Sequence, residues 1–259
     1  MTWRLGATLL IAVLLVCPSD AFAQDSGTVR EPFLELLWRY RWDYLRGTLR
    51  TIQISILSMM LASTLGLGLA LCRLYGNRLV SRLALAYIEF IRGTPLLVQL
   101  YLIFFGLPNL PVVGDHLRLP QLWAAVLGIG LNYAAYEAEI YRAGIMSIPR
   151  SQMEAGLALG LSRAQTVRLV ILPQALRLVT PPVTNDFVAL FKDTSIVSIL
   201  GMTELTQTFR MSSTSTQRVL GFALVTAFIY FALSYPISKF ARYLERRIHP
   251  HHDHGPQPQ

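Results

Sequence analysis

A chain of 259 residues with 53% apolar side chains and a formal charge of +8 is too apolar, and too often interrupted, for an ordinary soluble domain. Roughly 20 apolar residues cross the hydrocarbon core of a bilayer, so the length allows about five spans in one membrane domain. The charge comes almost wholly from arginines set between apolar segments, where positive-inside topology places them, which excludes nucleic acid as a partner. The two cysteines, Cys17 and Cys72, supply neither a disulfide framework nor a metal cluster.

Residues 1–23 carry Arg4, an apolar run from Leu5 to Val16 and then Ala21-Phe22-Ala23. That run is too short to span comfortably and ends in an A-x-A pattern, which predicts a signal peptide cleaved after Ala23. An uncleaved anchor is the alternative, and either one exports the segment after it. Val16 is too bulky, just ahead of Cys17, for a lipoprotein signal. Residues 24–47 mix Trp38, Arg39, Tyr40, Arg41 and Trp42, as an exported interfacial lead-in would.

The transmembrane domain, 48–245, is expected to be all-α and polytopic, with spans over 48–71, 83–107, 122–141, 182–200 and 219–240. The loops 72–82 and 142–177 and the C-terminal end are arginine-rich, whereas 108–120 and 203–217 carry few positive charges. Counting sides from an exported start puts the basic loops in the cytoplasm and gives N-out, C-in in an inner membrane. One feature disagrees: Arg39, Arg41, Arg46 and Arg50 crowd the outer end of the first span. The tail 246–259, with His249, His251, His252 and His254, is expected to be a disordered cytoplasmic segment rather than a metal site.

No G-x-x-x-x-G-K-[ST], G-x-S-x-G or H-E-x-x-H occurs, so the chain has no constellation for catalysis and is not read as an enzyme. The polar loop 142–177 is its most patterned part. Ser151 with Glu154 has the spacing of a capping box, and Met153, Leu157 and Leu161 recur at i, i+4 and i+8 as an apolar stripe. Ala155 and Ala158 keep the surface low enough for close approach, Gly160 ends or bends the helix, and a second amphipathic piece, 164–171, leads to Pro173. By periodicity alone this is either a helix lying on lipid or a docking site.

Charges within spans face protein or a watery cavity, because each costs about 2.5–3.5 kcal/mol at the bilayer centre on insertion scales. Glu89 and Arg92, and Glu139 and Arg142, stand at i, i+3, where each pair either neutralises itself or serves a pathway. Asp186, Ala189 and Asp193 share one helix face, with Asn185 and Lys192 beside them. That polar seam fits a gate or substrate path in the centre of a dimer, against the alternative of helix-to-helix gluing. Pro95, Pro181 and Pro182 remove backbone donors, which suits either a rocking helix or a static kink.

Glu154-Ala155-Gly156, Gly160 and Val170-Ile171-Leu172-Pro173 resemble the EAA motif of the membrane subunits of binding-protein-dependent ATP-binding-cassette importers. Gly156 stands where alanine is usual and Val170 where isoleucine is usual, so lower helix propensity is expected at Gly156. Three further stretches, from Glu89 to Leu100, from Asn132 to Ile145 and from Phe191 to Ser198, resemble signatures of the polar amino acid permease branch (histidine, glutamine, glutamate and arginine types). They stand in family order and at family spacing across most of 45–245.

The resemblance implies a coupling helix between spans 3 and 4, seated on a cassette ATPase subunit through Met153, Glu154, Ala155, Gly156, Leu157, Ala158, Leu159, Gly160 and Leu161. It implies an identical or paralogous permease subunit, a periplasmic amino-acid-binding protein and a polar amino acid substrate. ATP and Mg belong to the partner ATPase, with no cofactor in this chain. The pathway or gate candidates are Arg92, Thr94, Gln99 and Glu139, and in the fourth span Asn185, Asp186, Lys192, Asp193, Thr194 and Ser195. An ion-gradient-driven secondary transporter would need no motor, and a non-transporting scaffold would tolerate neutralising the charges of span 4. Neither accounts for the EAA-like loop.

Overall fold

A computed structural model describes residues 31–111 and 118–248, which are helical and irregular with no strand among them. The leader, the Cys17 site, part of the loop after the second span and the histidine tail lie outside the described residues. The first helix, α1 (Phe33–Tyr75), is continuous over 43 residues. The aromatic–arginine lead-in is therefore the first part of the same helix that spans. At ~1.5 Å per residue α1 is ~65 Å long, about twice a hydrocarbon core.

Asn77 caps α2 (Arg78–Arg92) by accepting from the Val80 amide. The chain then breaks at Gly93–Pro95 and resumes as α3 (Leu96–Tyr101), continuing through a wide turn, Leu102–Gly106, and a tight one, Leu107–Asn109. The axes bend by 104° at that break, so the segment expected as one span with a proline inside is two helices at a steep angle. α4 (Gln121–Met146) follows, then a short elbow made of α5 (Arg150–Ala158) and α6 (Arg163–Thr166). A wide turn over Val167–Ile171 joins α6 to α7 (Leu172–Asp193) without interruption. A tight turn, Thr194–Leu200, leads to α8 (Leu205–Thr216) and α9 (Val219–Ile248). Among the described residues two helices, α1 and α9, are long and apolar enough to cross a membrane by composition alone, or three if the bent α2–α3 pair is one span.

Both wide turns precede a proline. Pro108 and Pro173 lack an amide and their rings crowd the carbonyls four residues back, those of Phe104 and Leu169. These carbonyls lie inside the Leu102–Gly106 and Val167–Ile171 turns. Widening the helix there relieves the clash without ending the helix. Pro181 and Pro182 sit within α7, which runs on through them.

α4 is the hub. Its small residues let three other helices approach its backbone. A Cβ on Gly128 would stand 2.4 Å from Leu100 of α3, one on Gly130 2.7 Å from Leu61 of α1, and one on Gly144 2.2 Å from Val179 of α7. From the α1 side, Gly66 is equally tight: its Cβ would stand 2.6 Å from Cβ of Glu137. Ala62, Ala124, Ala125, Ala134 and Ala135 are fully buried around these contacts. Lipid gives no hydrophobic drive to helix association, so van der Waals contact at small residues supplies it instead.

A second cluster holds the end where α1 begins. Tyr44 and Phe222 stack with ring centres 6.1 Å apart, among Leu36, Leu205 and Phe209. Glu204, fully buried, caps α8 by accepting from the amides of Thr206 (2.8 Å) and Gln207 (2.6 Å). It also accepts from the hydroxyls of Tyr230 and Thr51. Four donors from α1, α8 and α9 converge on that carboxylate.

Gly66→Ala should lower stability by about 1–3 kcal/mol, the usual range for overpacking, read as a lower thermal midpoint of the detergent-solubilised protein. Gly68→Ala, where an added Cβ meets nothing within 4 Å, should leave the midpoint in place.

Candidate functional site

The helix break shapes a cavity. Pro95 has no amide to give the Ile91 carbonyl, and it pushes Thr94 out of helical conformation. The side chain of Gln99 takes over: its Nε2 donates to the Ile91 carbonyl (2.9 Å) and to Thr94 Oγ1 (2.8 Å), and Asn132 Nδ2 donates to Gln99 Oε1 (3.1 Å). Thr94 Oγ1 in turn donates to the Phe90 carbonyl (3.0 Å). Gln99 is buried and braces the turn from behind.

In front of the turn lies a cavity of about 520 Å³ between α2, α3, α4 and α7. Arg92, Thr94 and Pro95 form one wall, Asn132, Tyr133 and Tyr136 a second, and Asp186, Ala189 and Asp193 a third. The Arg92 guanidinium lies 5.4 Å from the centre of the Tyr136 ring, and the Tyr133 hydroxyl donates to Asp193 Oδ2 at 2.8 Å. One cation and two carboxylates thus share a cavity walled by aromatic rings, with the Tyr133–Asp193 bond tying α4 to α7. A site with both signs of charge can orient a small zwitterion.

The remaining pathway candidates lie elsewhere. Glu139 accepts from Arg142 through Nε (3.0 Å) and Nη2 (2.8 Å) and also pairs with Arg73 of α1. It clamps α1 to α4 outside the cavity walls. Asn185 and Lys192 are exposed on α7 and do not line the cavity, Thr194 is fully buried with its hydroxyl on the Phe191 carbonyl (2.7 Å), and Ser195 is half-buried. Asn132, Tyr133 and Tyr136 were not among the expected site residues, although they sit together in one motif-like stretch of α4. Glu137, one residue on, is fully buried, with neither carboxylate oxygen hydrogen-bonded among the described residues.

The elbow differs from its expected form. Pro149, not Ser151, precedes α5, and no side chain caps it. The capping box is built one helix later, where Ser162 Oγ accepts from the Gln165 amide and Gln165 Oε1 accepts from the Ser162 amide. Proline favours the extended conformation that opens α5, so the serine falls inside the first turn. The three residues of the Met153, Leu157 and Leu161 stripe differ in their surroundings. Met153 packs against Ile145, Ile171 and Ala175, Leu157 is 46% exposed, and Leu161 lies beyond the helix end.

Gly156 is the buried contact instead: its Cβ would stand 2.4 Å from Cγ2 of Thr166, so a glycine here lets α5 lie on α6. Gly160 turns the chain at φ +83°, a left-handed conformation that favours glycine. Glu154, Ala155, Leu157, Ala158 and Leu159 are left facing outward, Leu159 being 83% exposed. Arg163 reaches back over the ring of Tyr75 at the end of α1 (5.9 Å), and burial raises that phenol's pKa while Arg163 partly offsets the rise.

Residues 62–250 match the family model described as the inner membrane component of binding-protein-dependent transport systems, and the chain belongs to that family. The glutamine transport system permease protein GlnP of Escherichia coli (strain K12) is 39% identical over 204 residues, covering 79% of this chain and 92% of that protein. The arginine transport system permease protein ArtQ of Bacillus subtilis (strain 168) is 33% identical over 204 residues, 79% and 91% of the two chains. A crystal structure of an amino acid ABC transporter with histidines aligns at a TM-score of 0.74 and 34% identity, over 85% of this chain and 100% of that one. An inward-facing MetNI methionine ABC transporter, at 19% identity, shares the fold with a TM-score of 0.66 over 81% and 98%.

Gly156→Ala should cost about 1–3 kcal/mol by overpacking, and Thr166→Ala should recover part of that loss. A double-mutant cycle read by thermal unfolding should therefore show the two changes to be non-additive.

Proposed function

We propose that this chain is the translocating subunit of an ATP-driven importer for a polar amino acid. The observation that carries the reading is a continuous helical rod, from α6 through α7, with the exposed elbow at one end and the charged cavity at the other. Movement imposed on α5 reaches Asp186 and Asp193 through packed apolar contacts of Met153, Ile171, Leu172 and Ala175, with no flexible linker between. A cassette ATPase that binds ATP and Mg supplies that movement by gripping the outward face of α5, the coupling helix, through Glu154, Ala155, Leu157, Ala158 and Leu159.

The chain crosses the inner membrane five times, by α1, the broken α2–α3 pair, α4, α7 and α9. Arg73, Arg78, Arg82, Arg150, Arg163, Arg168 and Arg177 gather at the elbow end, which supports its placement in the cytoplasm, with the start of α1 outside and the end of α9 inside. A signal peptide over 1–23, or an uncleaved anchor there, exports the segment that leads into α1. A second permease subunit, identical or paralogous, completes the path, and a periplasmic binding protein delivers substrate to the end away from the elbow. In the cavity Arg92 receives the α-carboxylate, and Asp186 with Asp193 receives the α-ammonium and a polar or cationic side chain. Relatives named for glutamine and arginine transport fit that chemistry.

Two measurements on proteoliposomes test this. Glu154→Lys should leave membrane insertion intact while uncoupling uptake from ATP hydrolysis by the added ATPase. Undiminished transport by that variant would remove α5 as the docking helix. Asp186→Asn should lower amino acid uptake by about 10–100-fold, the weight of one charge-assisted hydrogen bond, without loosening the ATPase. Unchanged uptake would remove the cavity from the path.

A further inference from the structure

The arginines that crowd the first part of α1 oppose the charge bias of the rest of the chain, and nothing in the transport reading uses them. At 3.6 residues per turn the helix has one buried face, with Leu36, Tyr44, Gly47, Thr51 and Ile54, and one open face opposite. The open face carries Leu34, Trp38, Trp42, Leu45 and Leu49, with Trp38 69% and Trp42 56% exposed. It continues without interruption into Ile56 and Met60, exposed lower on the same helix, where α1 crosses the membrane. Arg41 sits within this apolar stripe. Its guanidinium lies 4.0 Å from the centre of the Trp38 ring and 5.5 Å from that of Trp42, and it donates to the Trp38 carbonyl. Arg46 flanks the stripe. Arg39 and Arg50, further round, are engaged with Glu31 (2.6 Å) and Gln53 (2.9 Å).

Five large apolar side chains in line with a membrane-facing stripe belong at the bilayer interface, where tryptophans concentrate and arginine stems bury while their heads reach polar groups. A helix twice as long as the hydrocarbon is thick reaches that position by tilting. An arginine laid over tryptophan rings inside such a stripe presents its free edge to whatever lies at headgroup level. There the one complementary group is a phosphate with uncompensated negative charge.

We infer that Trp38, Arg41, Trp42 and Arg46 form a binding site for an anionic phospholipid headgroup, on the leaflet opposite the elbow. The site fixes the tilt of α1 and thereby the seat of α8 and α9, which pack on the other face of the same segment. The inference needs only that α1 spans a membrane and does not rest on the transport reading.

The test uses the full chain with Trp3 and Trp123 replaced by phenylalanine, reconstituted in phosphatidylcholine bilayers, so that Trp38 and Trp42 alone fluoresce. Brominated phosphatidylglycerol should quench at lower mole fraction than brominated phosphatidylcholine. The preference should fall about fivefold for each of Arg41→Gln and Arg46→Gln, and survive Arg41→Lys and Arg46→Lys. In the unsubstituted sites, high salt should erase it by screening, a readout that depends on no arginine variant folding. Equal quenching by both lipids, insensitive to salt, would overturn the site in favour of a plain apolar wall. Quenching by neither would overturn it in favour of a protein covering that face.

Discussion

Everything in this fold hangs on how closely α1 and α4 approach. Gly66 and Gly130 bring the two helices together where any larger side chain would collide with Glu137 or Leu61, and buried alanines line the rest of the seam. In water such a seam would be a weak core, since alanine and glycine bury little area. In lipid, where helices compete with acyl chains for contact, close approach is what distinguishes protein from solvent. The Arg73–Glu139–Arg142 cluster closes the elbow end of the seam, and toward the start of α1 the Glu204 cap ties Thr51 to α8 and α9.

Against that fixed pair the other helices are interrupted in ways their prolines dictate. The carbonyl that Pro95 leaves without its usual i+4 amide is answered by Gln99, and Asn132 of α4 holds Gln99 in place. The break is therefore a built turn, referenced to the hub helix, and it sets Arg92 in the cavity wall. Pro108 and Pro173 are answered differently, by a widened turn that keeps the helix running. The second of these lies where the elbow joins α7, the point at which a push on α5 would enter the rod in the proposed coupling.

Much of this was legible in the residues. Apolar runs and the arginine bias gave an all-α membrane chain, and the shared face of Asp186, Ala189 and Asp193, read from 3.6-residue spacing, is one wall of the cavity. What spacing along one helix could not show was which helix meets which. Glu139 has an i, i+3 partner in Arg142, but its role comes from Arg73 on another helix. Asn132, Tyr133 and Tyr136 look like ordinary interior residues until Arg92 and Asp193 are brought beside them. Glu204 is an uncommon cap, since Asp, Asn, Ser and Thr are the usual ones, and its burial depends on three helices at once. Gly156 reads as a weak point in a helix, whereas its contact with Thr166 gives it a packing role that propensity does not contain. The elbow departs from its spacing for a similar reason: Pro149 starts α5 ahead of Ser151, and Gly160 turns the chain before Leu161.

The proposed function requires the cavity to open to one side of the membrane at a time, under the control of a partner acting on α5. A single cysteine at Ala189, on the cavity wall, with Cys17 and Cys72 replaced by serine, reports this. In proteoliposomes containing the chain and its ATPase, a membrane-impermeant maleimide applied to each side measures which face reaches the cavity. The reactive side should switch between the nucleotide-free and ATP-bound states. Labelling from the same side in both states, or from neither, would contradict the transport cycle built on the elbow, the rod and the cavity.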